Sequence, residues 1–142
     1  MDIFLSFLLW LHFIGLAMAV GGGIALSQSG PMLVTVPESE LGTIWKLEGV
    51  FSRIGSIGVG TLIVTGPLMV WLKYGGVAAM PVWFWVKMAL VLVAIGGIAT
   101  HEVMARRFKA GDTGAFRWML ISGRTAGASM ALVVLCAVLT FQ

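Results

Sequence analysis

The chain has 142 residues, 59% of them hydrophobic and 11% charged, with a mean hydropathy of +1.02 and a net charge of +3. Soluble domains carry about 25% charged and about 45–50% apolar residues, so this composition excludes an ordinary water-soluble fold and points to lipid as the solvent. The basic residues flank apolar segments and form no tract of their own, which speaks against nucleic acid as a partner.

A spanning helix needs roughly 20 mostly apolar residues. Four stretches qualify: Ile3–Leu26, Ile54–Leu72, Val82–Thr100 and Trp118–Phe141. They predict an all-α, four-transmembrane-helix bundle in up-down-up-down order, one integral membrane domain over 1–142, with helices at about 3–27, 47–73, 82–107 and 116–141. Lys and Arg collect on the cytoplasmic side of membrane proteins. The first and third connections hold Lys46, Arg53, Arg106, Arg107, Lys109 and Arg117, against Lys73 on the other side. Both termini are therefore expected on the periplasmic side of a bacterial inner (plasma) membrane. The opening "MDIFLSFLLW" has an acid and no basic residue, so it reads as a retained helix, because a cleaved signal wants a basic start.

The first helix, "FLLWLHFIGLAMAVGGG", sets His12 in the middle of an apolar run. An ionisable group inside a bilayer is costly and marks a functional candidate. Ala19 and Gly23 project within about 20° of His12 and Gly15 about 60° away, at about 100° per residue. A wall of small residues lets a second helix approach closely, or leaves room for a flat, bulky ligand against the imidazole. His12 itself reads in three ways: a hydrogen-bonding packing residue, a member of a proton path, or a metal ligand, with haem iron the fitting metal for neutral imidazole.

The second helix, "FSRIGSIGVGTLIVTGPLMVWLK", carries Arg53, Met69 and Pro67. Pro67 removes a backbone donor and predicts a kink, which favours a pocket in the outer half. The third, "VWFWVKMALVLVAIGGIATHEVMARR", carries Lys87 and His101 fourteen residues apart. Lys87 either snorkels to the interface or sits beside an anionic group such as a porphyrin propionate or substrate carboxylate. His12 and His101 differ in depth by roughly 14 Å at 1.5 Å per residue, too far to share one iron. His101 is expected to pair with a carboxylate or cap its helix. A second axial ligand for His12 would come from matching depth, with Met69, Met88 and Met130 the candidates, since Met ligates haem; a five-coordinate iron is equally compatible. In the fourth helix Gly123 and Gly127 flank Arg124, which is expected to reach the interface, to pair with Glu48 or Glu102, or to hold an anionic ligand together with Arg53. The single cysteine, Cys136, makes no intramolecular disulfide and reads as a small packing residue.

Three elements, "LHFIGLAMAVGGG", a second helix with "FSR…TG", and "WVKMALVLVAIGGIATHEVMARRFKAGD", together resemble the superfamily of the copper-resistance D domain and the four-helix protoporphyrinogen oxidase called HemJ. The resemblance covers most of the chain. It implies a small membrane protein binding haem b, with His12 at the family's helix-1 ligand position and Gly21 and Lys87 at characteristic positions. It further implies an oxidoreductase that converts protoporphyrinogen IX, or a related tetrapyrrole, and passes electrons toward an acceptor, so a tetrapyrrole or quinone-type electron partner is expected, with quinone, oxygen and a protein all open as the acceptor. Trp83 stands where the oxidases carry Arg, and Ala19 where they carry Trp.

The leading expectation is thus a haem-b membrane redox protein. Its cofactor-binding set is His12, Gly15, Ala19, Gly21, Lys87, Arg53 and Arg124, its metal set His12, Met69 and Met130, and its catalytic set Lys87 and Arg124. The alternative is a copper-uptake or copper-resistance protein; Cu(I) prefers thiolate and thioether ligands, but the nine Met form no Met-x-Met cluster and stand beside one Cys, so this reading ranks below haem. A third reading is a non-catalytic membrane subunit or assembly partner. Gly-rich faces on the second and fourth helices are compatible with a homo-oligomer.

Overall fold

The computed structural model describes residues 3–78 and 80–140, with side chains through Val138 in the last helix. Four helices make up the described chain: α1 (Ile3–Met32), α2 (Glu38–Tyr74), α3 (Val82–Lys109) and α4 (Ala115–Thr140). No strand occurs among the described residues. All four helices are long and apolar enough to cross a membrane, and within their most apolar windows only 11–33% of residues are buried inside the protein. Large apolar side chains such as Trp10, Trp71 and Trp85 face outward. A face of this kind is stable against lipid and not against water.

The third helix begins and ends, and the fourth begins, within two residues of expectation, but the first connection does not match it. Residues 28–46 were expected to leave the helices, whereas only 33–37 do so. Ser27, Ser29, Gly30 and Pro31 all lie within α1. Ser27 donates to the carbonyl of Ile24, a back-bonding that a helix tolerates. Gly30 lies where a Cβ would come within 3.1 Å of Leu120. Pro37 then precedes α2, and Glu38 and Glu40 occupy its first turn, where acids complement the helix dipole. The helix runs 37 residues, about 55 Å at 1.5 Å per residue, and continues through Pro67. The expected end of the fourth helix at 141 lies outside the described residues.

Gly75 closes α2 at φ 68, donating its N–H to the Trp71 carbonyl, a left-handed cap that glycine adopts without a Cβ clash. At the foot of α3, Arg106, Arg107 and Lys109 occupy the last turn. Arg107 pairs with Asp112 at 2.7 Å, and Asp112 also accepts the Gly114 N–H, which turns the chain into α4.

Glycine and alanine set the spacing of α1 and α2. A Cβ on Gly58 would lie 2.5 Å from the Ala19 nitrogen, and one on Gly22 would lie 2.8 Å from Gly55. His12 meets Thr65, Gly15 meets Thr61, and Ser29 meets Glu48. Between α3 and α4, Gly97 meets Ala126 and His101 meets Met119. The helices pack in the spatial order α2, α1, α4, α3, and the α2–α3 pair shares little backbone contact among the described residues. That leaves a groove with α1 and α4 as its floor and α2 and α3 as its walls. Its middle is filled by Ala19, Val59, Met130 and Val133, backed by Leu62, Leu90 and Ile95. Trp45 near the start of α2 packs on Phe108 near the end of α3, and Lys109 lies over the Trp45 ring, so these two helix ends lie together, here the basic end.

Candidate functional site

Above the apolar middle, toward the 75–81 connection, one polar group draws on all four helices. His12 of α1 places Nδ1 2.7 Å from the Thr65 hydroxyl of α2. Thr65 is 1% exposed and donates its single hydroxyl proton to the Thr61 carbonyl at 2.7 Å. A hydroxyl whose proton is committed accepts from its other neighbour, so His12 carries its proton on Nδ1. Nε2 is then the lone-pair nitrogen, which is how a second hydrogen bond presets an imidazole as a metal ligand. Gly66 supports the ring: a Cβ there would lie 3.7 Å from His12 Cε1. Lys87 of α3 is half-buried and within electrostatic reach of His12 and of the buried Cys136 of α4. Its ammonium also lies 5.3 Å from the centre of the Phe84 ring.

The other residues expected at this site fall elsewhere. Gly15 and Ala19 are buried against α2, and a Cβ on Gly15 would lie 3.0 Å from Thr61. Their small size serves helix approach, so a flat ligand at His12 has no room on that wall. Gly21 is exposed, with open space where a Cβ would stand. Met130 packs with Ala19 in the core, a level seven residues from His12, or about 10 Å along a helix. Met88 is half-buried beside Lys87 in sequence, and Met69 is half-buried one turn beyond Thr65. Arg53 and Arg124 both project from exposed positions. Arg53 is twelve residues from Thr65, about 18 Å along α2, and Arg124 stands beside Gly123, which packs on His101. Neither arginine is at the level of His12. Nor does Arg124 meet the expected acids: Glu102 pairs with Arg106 at 3.3 Å, and Glu48 with Ser29.

A second polar group, at the basic end, was only partly foreseen. A cleft of about 530 Å³, open mouth included, is lined by Glu48, Ser52, His101 and Glu102, with Trp45, Arg106 and Lys109 around its mouth. It continues toward the middle of the groove past Gly23, Gly55 and Ala126. His101 donates from Nδ1 to the Met119 carbonyl at 3.0 Å, and Ser52 donates to Glu102. Glu48 is 4% exposed. The signal that marks it in the sequence is phase: Glu48, Ser52, Gly55 and Val59 follow the spacing of one helical face, which the structure turns into the groove.

No protein-family model, curated protein or solved structure matches this chain.

Proposed function

We propose that the chain is a membrane-embedded haem-b protein in which His12 Nε2 ligates the iron. The observation that supports this reading is the relay Thr61–Thr65–His12, which fixes the imidazole as a neutral ligand with its lone pair on Nε2. Lys87 at the same level is the cation suited to a propionate, and Met69 is the thioether nearest in level on α2. Because α2 covers Gly15 and Ala19, those two residues would serve helix approach and leave His12, Lys87 and Met69 to hold the group. Bound there, haem would supply one-electron redox chemistry. The chain's own contribution is to hold Nδ1 protonated, to present Nε2, and to exclude water with the apolar middle.

The helices cross the bilayer in up-down-up-down order in this reading. The basic connections face the cytoplasm and the 75–81 connection faces the periplasm of a bacterial inner membrane. The excess of Lys and Arg at one end supports that orientation. Oxidation of protoporphyrinogen IX or a related tetrapyrrole, with electrons passed to a quinone-type partner, rests on the resemblance alone.

The test is a reduced-minus-oxidised absorption spectrum of the purified protein, with pyridine haemochrome quantitation, beside His12→Ala. A b-type spectrum near one haem per chain, lost in the variant, supports the reading. A colourless protein from haem-replete cells overturns it and leaves His12 as a packing residue.

A further inference from the structure

The cleft at the basic end holds chemistry that the His12 reading does not use. Glu102 is already engaged by Ser52 and by Arg106. Glu48 is not so served: its hydrogen-bond partner is the Ser29 hydroxyl at 3.4 Å. The ion pairs among the described residues are Arg106–Glu102 and Arg107–Asp112, so no Lys or Arg lies within ion-pair distance of Glu48. A carboxylate this deeply buried without a cation is costly to hold charged. His101 is 7% exposed and lines the same cleft.

The His101 ring has one nitrogen to spare. A carbonyl only accepts, so the contact to Met119 commits Nδ1 as a donor and leaves Nε2 as the atom that gains or loses a proton. The Glu48 carboxyl and the His101 ring, lining one cleft and carrying one titrating proton in all, are neutral as a pair. Removing that proton leaves an unbalanced carboxylate, and adding a second leaves an unbalanced imidazolium. The surroundings decide nothing against this. From α3 the charged groups are Glu102, Arg106 and Lys109, with the two cations at the mouth. The neighbouring Lys46 on α2 is exposed. Near the pair, α1 brings Ser29 and α4 brings Met119 and Gly123, none of them charged.

We propose that Glu48 and His101 form a proton-binding pair, reached from the basic end through the cleft that Gly49 and Ser52 line. The pair is a loading site: a proton entering at the Trp45–Lys109 mouth passes to the carboxyl or to Nε2, and the apolar middle at Ala19, Val59, Met130 and Val133 stops it from going further. The proposal is independent of haem at His12.

Two interacting sites titrate as a pair, each moving the other. The experiment follows the Glu48 carboxylic C=O stretch by infrared spectroscopy and the His101 ring by ¹⁵N magnetic resonance, in bilayers, as pH is varied. Glu48→Gln is expected to shift the His101 titration, and His101→Asn the Glu48 titration, each by about one pH unit or more, a tenfold change in proton affinity. If either variant does not fold, the unsubstituted chain still decides: both reporters are expected to show the same two steps. Gly49→Trp, at a position where a Cβ meets nothing within 4 Å, is expected to slow hydrogen–deuterium exchange of the Glu48 carboxyl. Independent titrations, or a Glu48 that ionises as an ordinary exposed carboxylate, overturn the pair. Exchange unaffected by Gly49→Trp overturns the route.

Discussion

A threonine decides what His12 can do. Thr65 has one hydroxyl proton, and Thr61 takes it, so the imidazole must donate from Nδ1. Replacing Thr65 with Val keeps the shape and removes the acceptor. Loss of such a partner typically weakens metal affinity about 10–100-fold, and the Thr65→Val protein is expected to lose haem affinity in that range on titration while keeping its helical circular dichroism. Equal affinity in the variant would mean that the ring is oriented by something else. The glycines give a second residue-scale contrast. Gly58→Leu would drive a side chain into Ala19 and Gly15, whereas Gly60→Leu enters open space. Overpacking of this kind costs about 1–3 kcal/mol, so denaturant unfolding in detergent should show that loss for Gly58→Leu and little for Gly60→Leu. His12 stood out in the sequence because a buried ionisable residue has no cheap explanation. Thr65 did not: a threonine in an apolar helix reads as bonding to its own backbone, and the partner that gives it meaning is 53 positions away.

Helix ends show what hydropathy can and cannot report. The apolar runs marked the part of each helix that suits lipid, and α3 was legible to within two residues because Pro81 precedes its first turn and Arg106, Arg107 and Lys109 fill its last. α2 was not, because a helix need not stop where its apolar run does. Glu38 to Arg53 is polar enough for water and still helical, its first turn stabilised by acids at the dipole's positive end. The small residues near His12 are the element-scale counterpart: their phase was legible, but whether a ligand or α2 would occupy the space was not, since that depends on a partner helix. At the far end of α2 the left-handed Gly75 makes the cap. Gly75→Ala forces a Cβ into that conformation at roughly 1–2 kcal/mol, a loss expected in the same unfolding measurement and confined to stability, with haem content unchanged.

At the scale of the molecule, the packing order α2, α1, α4, α3 leaves a groove whose two ends are polar and whose middle is not. His12, Thr65 and Lys87 stand at one end, and Glu48, Ser52, His101 and Glu102 at the other. The sequence offered the helix count and the charge asymmetry. It did not offer the groove, which arises from pairings between helices distant along the chain. The separation also removes Arg53, about 18 Å from Thr65 along α2, and Arg124, beside the Gly123 that packs on His101, from the surroundings of His12. Membrane orientation can be checked in a Cys136→Ala background. Cysteines at Ser39 and Thr113 are expected to react with an impermeant reagent from the cytoplasmic side, and one at Tyr74 from the opposite side. Labelling of all three from one side would contradict the four-crossing order.

One substitution at His12 separates ligation from packing. His12→Gly removes the imidazole and leaves a space its size between Thr65, Gly66 and Lys87. Haem content per chain would be measured in this variant with and without added imidazole. The account predicts loss of haem in the variant and its recovery, with a b-type spectrum, when imidazole is supplied. Haem retained in His12→Gly without imidazole would contradict ligation by His12.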